Sequence, residues 1–384
     1  VHNHAYENFL FAGIEAYAAE TLRGYDDALS GNALHAAIED YGFAWEKFRQ
    51  TGVDPAHMFE HTYNSGLSQY YAVIVWAASC LFSVSQKACY ASDAAQTTRK
   101  LLLCQETNPE MPIRGFFYRS ESHMRIVHFN HQAREHQFMQ ALDALCRSQP
   151  DHPDKQKWEH AMALYGSYLK AIAGNTAPYG MLPAGVHRPD EYEDAALFPY
   201  LHVTCDYRKE RKNYREQLAE GTPLGAGLIL RNFPIWFSFR GNSAVLLSMG
   251  KAASIVGRYF ADEELLQLGR EQLYWMWGKN PFGQSLVYGA GSRYCRQYAV
   301  LSGESVGEIP VGIETRGNED VPYWPQNNNA TFREIWVGSA CRWHATSVIA
   351  ARIVSIGSRS MSWKSHRPTT SIQSSAQASK SWRR

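Results

Sequence analysis

Between Glu314 and Trp336 the chain reads ETRGNEDVPYWPQNNNATFREIW, a run that gathers acids, amides, prolines and aromatics. Glu314, Glu319 and Asp320 come early, Asn327, Asn328 and Asn329 follow, and Glu334 stands directly before Ile335 and Trp336. Turn formers alone would make a loop, but a loop has no need of tryptophan. A carboxyl desolvated by two large apolar neighbours has its pKa raised, as a proton donor requires. The same Glu334 also suits the positive end of a helix predicted at 336–354, as an ordinary first-turn acid. Arg316, Tyr323 and Trp324 in this run are the groups that could hold a flat, hydroxylated ligand beside it.

Three other stretches concentrate chemistry. In SHMRIVHFNHQAREHQF (122–138), His128 and His131 stand beside Arg125 and Arg134. Guanidinium forks and imidazoles at a cleft rim would bind a carboxylate such as that of a uronate, with His131 placed to act in catalysis. Helix capping and surface histidines account for the same residues. An HxxH pair needs a third ligand to hold a metal, and the spacing supplies none, so no metal or other cofactor is predicted. FEHTYNSG (59–66) offers Tyr63, and APYGMLPAGVHRPDEYEDA (177–195) offers Tyr179, His187 and the acids Asp190, Glu191, Glu193 and Asp194. Asp190 is taken as the candidate base, although acids in a polar loop are ordinarily solvated. RNFPIWFSFRGN (231–242) adds Trp236 and Arg240, either as a sugar subsite or as cation–π and core packing.

Helices must position these groups. Apolar residues recur at three- and four-residue spacings over 6–22, 31–50, 67–83, 130–147, 155–173, 207–219, 243–260, 262–277 and 336–354. Strand-like alternation is confined to short pieces such as RGFFYRS and QSLVYG. The helices come in pairs joined by connectors that alternate between short (TGVDPAH) and long (104–132 and 278–335), and long loops in a compact domain are usually functional. No repeat of fixed period marks a solenoid. The expectation is an all-α toroid of helical hairpins with long loops over one end, spanning 1–354. Residues 355–384 are Ser-rich and basic, lack any apolar period, and read as a disordered tail.

The totals agree. With 384 residues and 45% hydrophobic content, the chain can bury a large core. Lys+Arg 38 against Asp+Glu 37 leaves a net charge of +1, which predicts neither a nucleic-acid nor a membrane partner. No apolar run reaches the roughly 18 residues of a membrane span. The seven cysteines are scattered without a CxxC pair, so they suggest neither zinc nor a disulfide framework. Starting without Met and almost inside a helix, the chain reads as a fragment or processed product, secreted or periplasmic if a signal lies upstream of Val1.

One further stretch carries a resemblance. YWMWGKNPFGQSLVYGAG (274–291) resembles the GRNPxGxSYVTGxG segment of glycoside hydrolase family 9, matching at Gly278, Asn280, Pro281, Gly283, Ser285, Val287 and Gly289. The resemblance implies an (α/α)6 six-hairpin toroid, a carbohydrate substrate and an inverting hydrolase whose general acid feeds the last inner helix. Glu334 occupies that position. The family's Asp-Ala-Gly-Asp motif and its downstream His-x-Arg are missing, and the residues after Glu334 depart from its Glu-x-Ser/Thr pattern. Two alternatives therefore stand beside hydrolysis: a polysaccharide lyase eliminating next to a uronate, and a sugar-binding toroid without catalysis.

Overall fold

The computed structural model describes residues 4–53, 66–128, 134–193, 206–235, 241–294 and 305–324, together with Ile335, Cys341, Thr346 and Ser347. The described helices are α1 (Ala5–Leu22), α2 (Asp27–Thr51), α3 (Leu67–Ser85), α4 (Ala88–Leu102), α5 (Gln137–Ser148), α6 (Lys155–Ala173), α7 (Tyr207–Ala219), α8 (Ser243–Phe260) and α9 (Glu263–Met276). They pack as consecutive pairs, α1 with α2, α3 with α4, α5 with α6 and α8 with α9, while α1, α3, α5 and α8 also pack on one another in sequence. This is the inner-and-outer alternation of an α/α toroid.

The inner helices α3 and α8 are apolar on nearly every side. α3 buries Tyr70, Val73, Ile74, Ala77, Ala78 and Leu81, and α8 buries Val245, Leu246, Met249, Ala253 and Val256. α3 is long and apolar enough to span a membrane, with a hydropathy of 1.4, contrary to the reading that no such run exists. Its composition follows from its place: 78% of that window is buried within the fold. The outer helices α2 and α9 begin on aspartate caps, whose carboxylates satisfy first-turn amides that the helix itself cannot. Asp26 accepts from Leu29 N–H at 2.9 Å and Asp262 from Leu265 N–H at 3.1 Å. The Asp26 cap starts α2 at Asp27, ahead of the 31 read from periodicity.

Small residues set how closely the pairs approach. A Cβ at Gly269 of α9 would lie 2.1 Å from Ser254 Oγ of α8, and one at Gly166 of α6 would lie 2.8 Å from Leu265 Cδ1. α4 was not anticipated from the sequence. It buries Tyr90, Ala94, Ala95, Thr97, Thr98 and Leu101, and only Gln86 and Lys87 separate it from α3, so no Gly or Pro marks the turn between the two helices. α5 begins at Gln137 rather than near 130, because 134–136 form a turn.

Between α6 and α8 lies a small antiparallel sheet of order β1–β3–β2: β1 (Gly185–His187), β2 (Thr222–Gly225) and β3 (Leu228–Arg231). Val186 faces Leu230 and His187 faces Ile229 in its register. A two-residue pairing, β4 (Glu314–Thr315) with β5 (Pro322–Tyr323), closes a hairpin in the long C-terminal loop. RGFFYRS contributes isolated bridges, Phe117 with Gln105 and Tyr118 with Ile126, rather than a strand. Cys80, Cys89, Cys104, Cys146 and Cys341 are free thiols. The 355–384 tail lies outside the described residues.

Candidate functional site

The N-terminal ends of the inner helices meet at one end of the bundle. Tyr6 of α1 donates its hydroxyl to Gln137 Oε1 of α5, and Gln69 Nε2 of α3 reaches the same oxygen at 3.4 Å. Arg134 lies 4.0 Å above the Tyr6 ring and 3.6 Å from Glu7 Oε1. His136 donates its backbone N–H to Ser248 Oγ of α8 at 3.2 Å, and its Nδ1 sits 2.8 Å from that hydroxyl. The loop 305–324 covers the start of α8, with Ser243 N–H donating to Val311 O and Asn242 N–H to Ile313 O, both at 3.0 Å. Ile335 pairs with Pro310 in that loop, and Thr346 Oγ1 donates to Leu247 O of α8 at 3.0 Å. Glu334, His131, Tyr63, Trp236 and Arg240 lie outside the described residues.

A second constellation assembles around Glu191, in the 3-10 turn Glu191–Glu193 that follows β1. His128 Nε2 lies 2.8 Å from its Oε1 and His187 Nδ1 lies 3.0 Å from its Oε2. Tyr214 of α7 donates its hydroxyl to Oε2 at 2.7 Å, and the Arg188 N–H donates to Oε1 at 2.9 Å. The two imidazoles stack with centroids 3.9 Å apart and planes within 18°. Burial alone would raise the Glu191 carboxyl, but the two histidines hold it well below its ordinary value. Burial and the neighbouring His128 lower His187 to about 4. The result is an ionised carboxylate, about 10% exposed, accepting four hydrogen bonds from three segments of the chain.

Two buried acids brace the same region. Asp320 accepts the N–H groups of Asn232 at 2.7 Å and Phe233 at 3.0 Å, and lies 3.4 Å from the Nη2 of the fully buried Arg231. Glu106 accepts the Tyr118 hydroxyl at 2.5 Å and the Asn108 N–H at 2.8 Å. Burial and that bond push the Tyr118 phenol up to about 12. A cavity of about 40 Å³, lined by Phe117, Glu135, Phe138, Tyr165, Tyr168 and Met249, has room for water but not for a sugar ring.

The structure separates the remaining candidates. His128 joins the Glu191 cluster, whereas Asp190, one position earlier, is exposed. Arg125 is also exposed, and its carbonyl accepts the Arg119 N–H at 2.8 Å. Arg316 lies 6.0 Å over the Tyr323 ring on the outer hairpin. Trp324 is 7% exposed and packs in an apolar cluster with Leu246, Leu247 and Trp275, and Tyr179 meets Trp275 edge-on. His187 and Glu191 stood among the candidates of the 177–195 stretch, but neither was joined to His128 and Tyr214 was not singled out, because nothing in linear spacing brings the four together. In the 278–289 motif Asn280 is a hub: its Nδ2 donates to Trp275 O and Gln284 O, and its Oδ1 accepts from Phe282 N–H. That motif shapes the turn after α9 rather than presenting chemistry.

An inner ring of helices with convergent N-terminal ends and loops over them defines an (α/α)6 toroid of the kind found in six-hairpin glycosidases. The chain belongs to glycosyl hydrolase family 9, whose family model matches residues 8–300. Among solved structures it is similar to the family 9 endoglucanase J30 (TM-score 0.53, 14% identity, 90% of this chain and 54% of that one). It is also similar to an endoglucanase from the termite Nasutitermes takasagoensis (TM-score 0.51, 12% identity, 90% and 65%). The cellulase Cel9M of C. cellulolyticum is a third such structure (TM-score 0.51, 15% identity, 88% and 61%). The chain thus spans between 54% and 65% of these three structures' lengths. A search of curated proteins finds no match.

Proposed function

We propose that the protein is a glycoside hydrolase acting on a poly- or oligosaccharide, with Glu334 as the general acid. The observation that carries this reading is the meeting of the α1, α3, α5 and α8 N-terminal ends, with Ile335 paired into the loop beside them. Inner-helix amides and their positive dipole ends favour anionic groups and sugar hydroxyls at such a rim. Family membership supports the reaction class, and the endoglucanase neighbours point to a β-linked glucan as the first substrate to try. Arg134 and His136 at the same rim support the narrower proposal of a uronate-containing chain.

Inverting hydrolysis needs a second carboxylate on the opposite face of the sugar, separated from the acid by enough space for a water. The exposed Asp190 remains the candidate base of this proposal. Release of reducing ends from soluble β-glucans and from uronate-containing polysaccharides tests the reading. Glu334→Gln keeps the side chain's shape but removes its transferable proton, so turnover should fall at least about a hundredfold with ligand binding retained. A variant with wild-type turnover would return Glu334 to the role of a first-turn acid. A product that absorbs ultraviolet light and survives Glu334→Gln would instead identify a lyase.

A further inference from the structure

Glu191 is held in a way that hydrogen bonding within the chain alone does not require. Its carboxylate has two kinds of partner. Tyr214 hydroxyl and Arg188 N–H are fixed donors, one on each oxygen. His128 Nε2 and His187 Nδ1 occupy the remaining direction on each oxygen, from two rings stacked face to face. An imidazole nitrogen differs from the other two donors because it can offer a lone pair instead of a proton. The three ligand-type atoms lie within 4.8 Å of one another; His187 is buried, while His128 and Glu191 are partly exposed, which leaves an ion a way in.

We propose that His128, His187 and Glu191 form a binding site for a divalent transition-metal ion, with zinc the ion the donor set suits best. Two imidazoles and one carboxylate match borderline ions, whereas calcium and magnesium call for oxygen ligands throughout. Donors around a tetrahedral zinc at about 2.0–2.1 Å stand about 3.3 Å apart. The imidazole–carboxylate separations here are 2.8 and 3.0 Å. The two rings, now stacked with planes within 18°, must turn out of the stack for both in-plane lone pairs to meet one ion. Each ring then carries its proton on its other nitrogen, and the metal takes the place of the two imidazole–carboxylate hydrogen bonds. Tyr214 and the Arg188 amide stay on the carboxylate as outer partners that fix its orientation.

The ligands come from the segment leading towards α5, from β1 and from the turn after β1, and Tyr214 adds α7. A bound ion would therefore clamp the loops at this side of the toroid to one another. Three protein ligands leave a fourth position for water.

The full chain, stripped with a chelator, should take up one equivalent of Co²⁺ with the strong visible absorption of a low-coordinate site, and exchange it for Zn²⁺. Glu191→Gln and His128→Gln should each weaken Zn²⁺ affinity at least tenfold, measured by competition with a chromophoric chelator. His152→Gln, which alters a histidine stacked on Trp158 elsewhere, should leave that affinity unchanged. A second measurement avoids variants that fail to fold: Zn²⁺ should raise the wild-type melting temperature in a concentration-dependent way that Mg²⁺ does not reproduce. Absence of Co²⁺ and Zn²⁺ uptake by the stripped wild type, or wild-type affinity in both ligand variants, would overturn the site.

Discussion

Glu191 accepts a hydrogen bond from the Tyr214 hydroxyl at 2.7 Å, and this bond ties the turn after β1 to α7. The carboxylate is ionised and only 10% exposed, so each donor it loses costs more than a surface bond would. Tyr214→Phe preserves the ring's packing against Leu218 and Ile235 while deleting the hydroxyl. It should destabilise the fold by about 1–3 kcal/mol in urea unfolding, with little change in the m-value. An unchanged midpoint would show that the bond contributes nothing net.

The α8–α9 pair offers a test of packing. A methyl added at Gly269 meets Ser254 Oγ at 2.1 Å, and that hydroxyl is held in place by its bond to Gly250 O at 2.8 Å. Gly269→Ala should cost about 1–3 kcal/mol despite the better helix propensity of alanine. Removing the obstructing oxygen with Ser254→Ala in the same chain should recover part of that loss. Additive effects of the two substitutions in thermal unfolding would argue against the contact.

Asp262 is both the cap of α9 and a partner of Lys170 at 2.7 Å. Burial opposes ionisation of its carboxyl, but Lys170 and the Leu265 amide hold it below the ordinary 3.8. A depressed folded pKa means the ionised form contributes stability that is present above about pH 3.8 and lost as pH falls through the folded value. Asp262→Asn keeps a neutral cap and removes only this ionic part. The variant should lag the wild type at pH 7 by about 0.5–1 kcal/mol, and the gap should narrow as the pH falls below 3.8, as followed by denaturant titration at neutral and at acidic pH. An equal gap at both would remove the charge from the explanation.

Deleting residues 355–384 should leave the melting temperature and any glycosidase activity unchanged, because that stretch lacks the apolar period needed to pack. A drop of several degrees would show that it docks on the helices.

Periodicity located most of the helices because their buried faces repeat every three to four residues, and burial is what that pattern records. α6 and α7 match their predicted bounds, and α9 differs by a residue at each end. α4 escaped because only Gln86 and Lys87 part it from α3, with no Gly or Pro to signal a turn between the two helices. The family was legible in 278–289, where Asn280 and the glycines are required by one turn geometry and so recur as a local string.

The site divides along the same line. The segments that enter the inner helices could be picked out because helix starts carry polar and aromatic residues in sequence. Which acid matters could not be: Asp190 and Glu191 are neighbours of nearly equal chemistry, and only the tertiary fold exposes one and surrounds the other with hydrogen-bond donors. The strand register that sets His187 beside His128, and the α7 position that brings Tyr214 over Glu191, arise from packing between segments distant in the chain. Helical periods and turn motifs are written in local spacing. The Glu191 cluster is decided by burial and by contacts across long separations, because desolvation makes an acid's partners matter and only the folded chain determines what is desolvated.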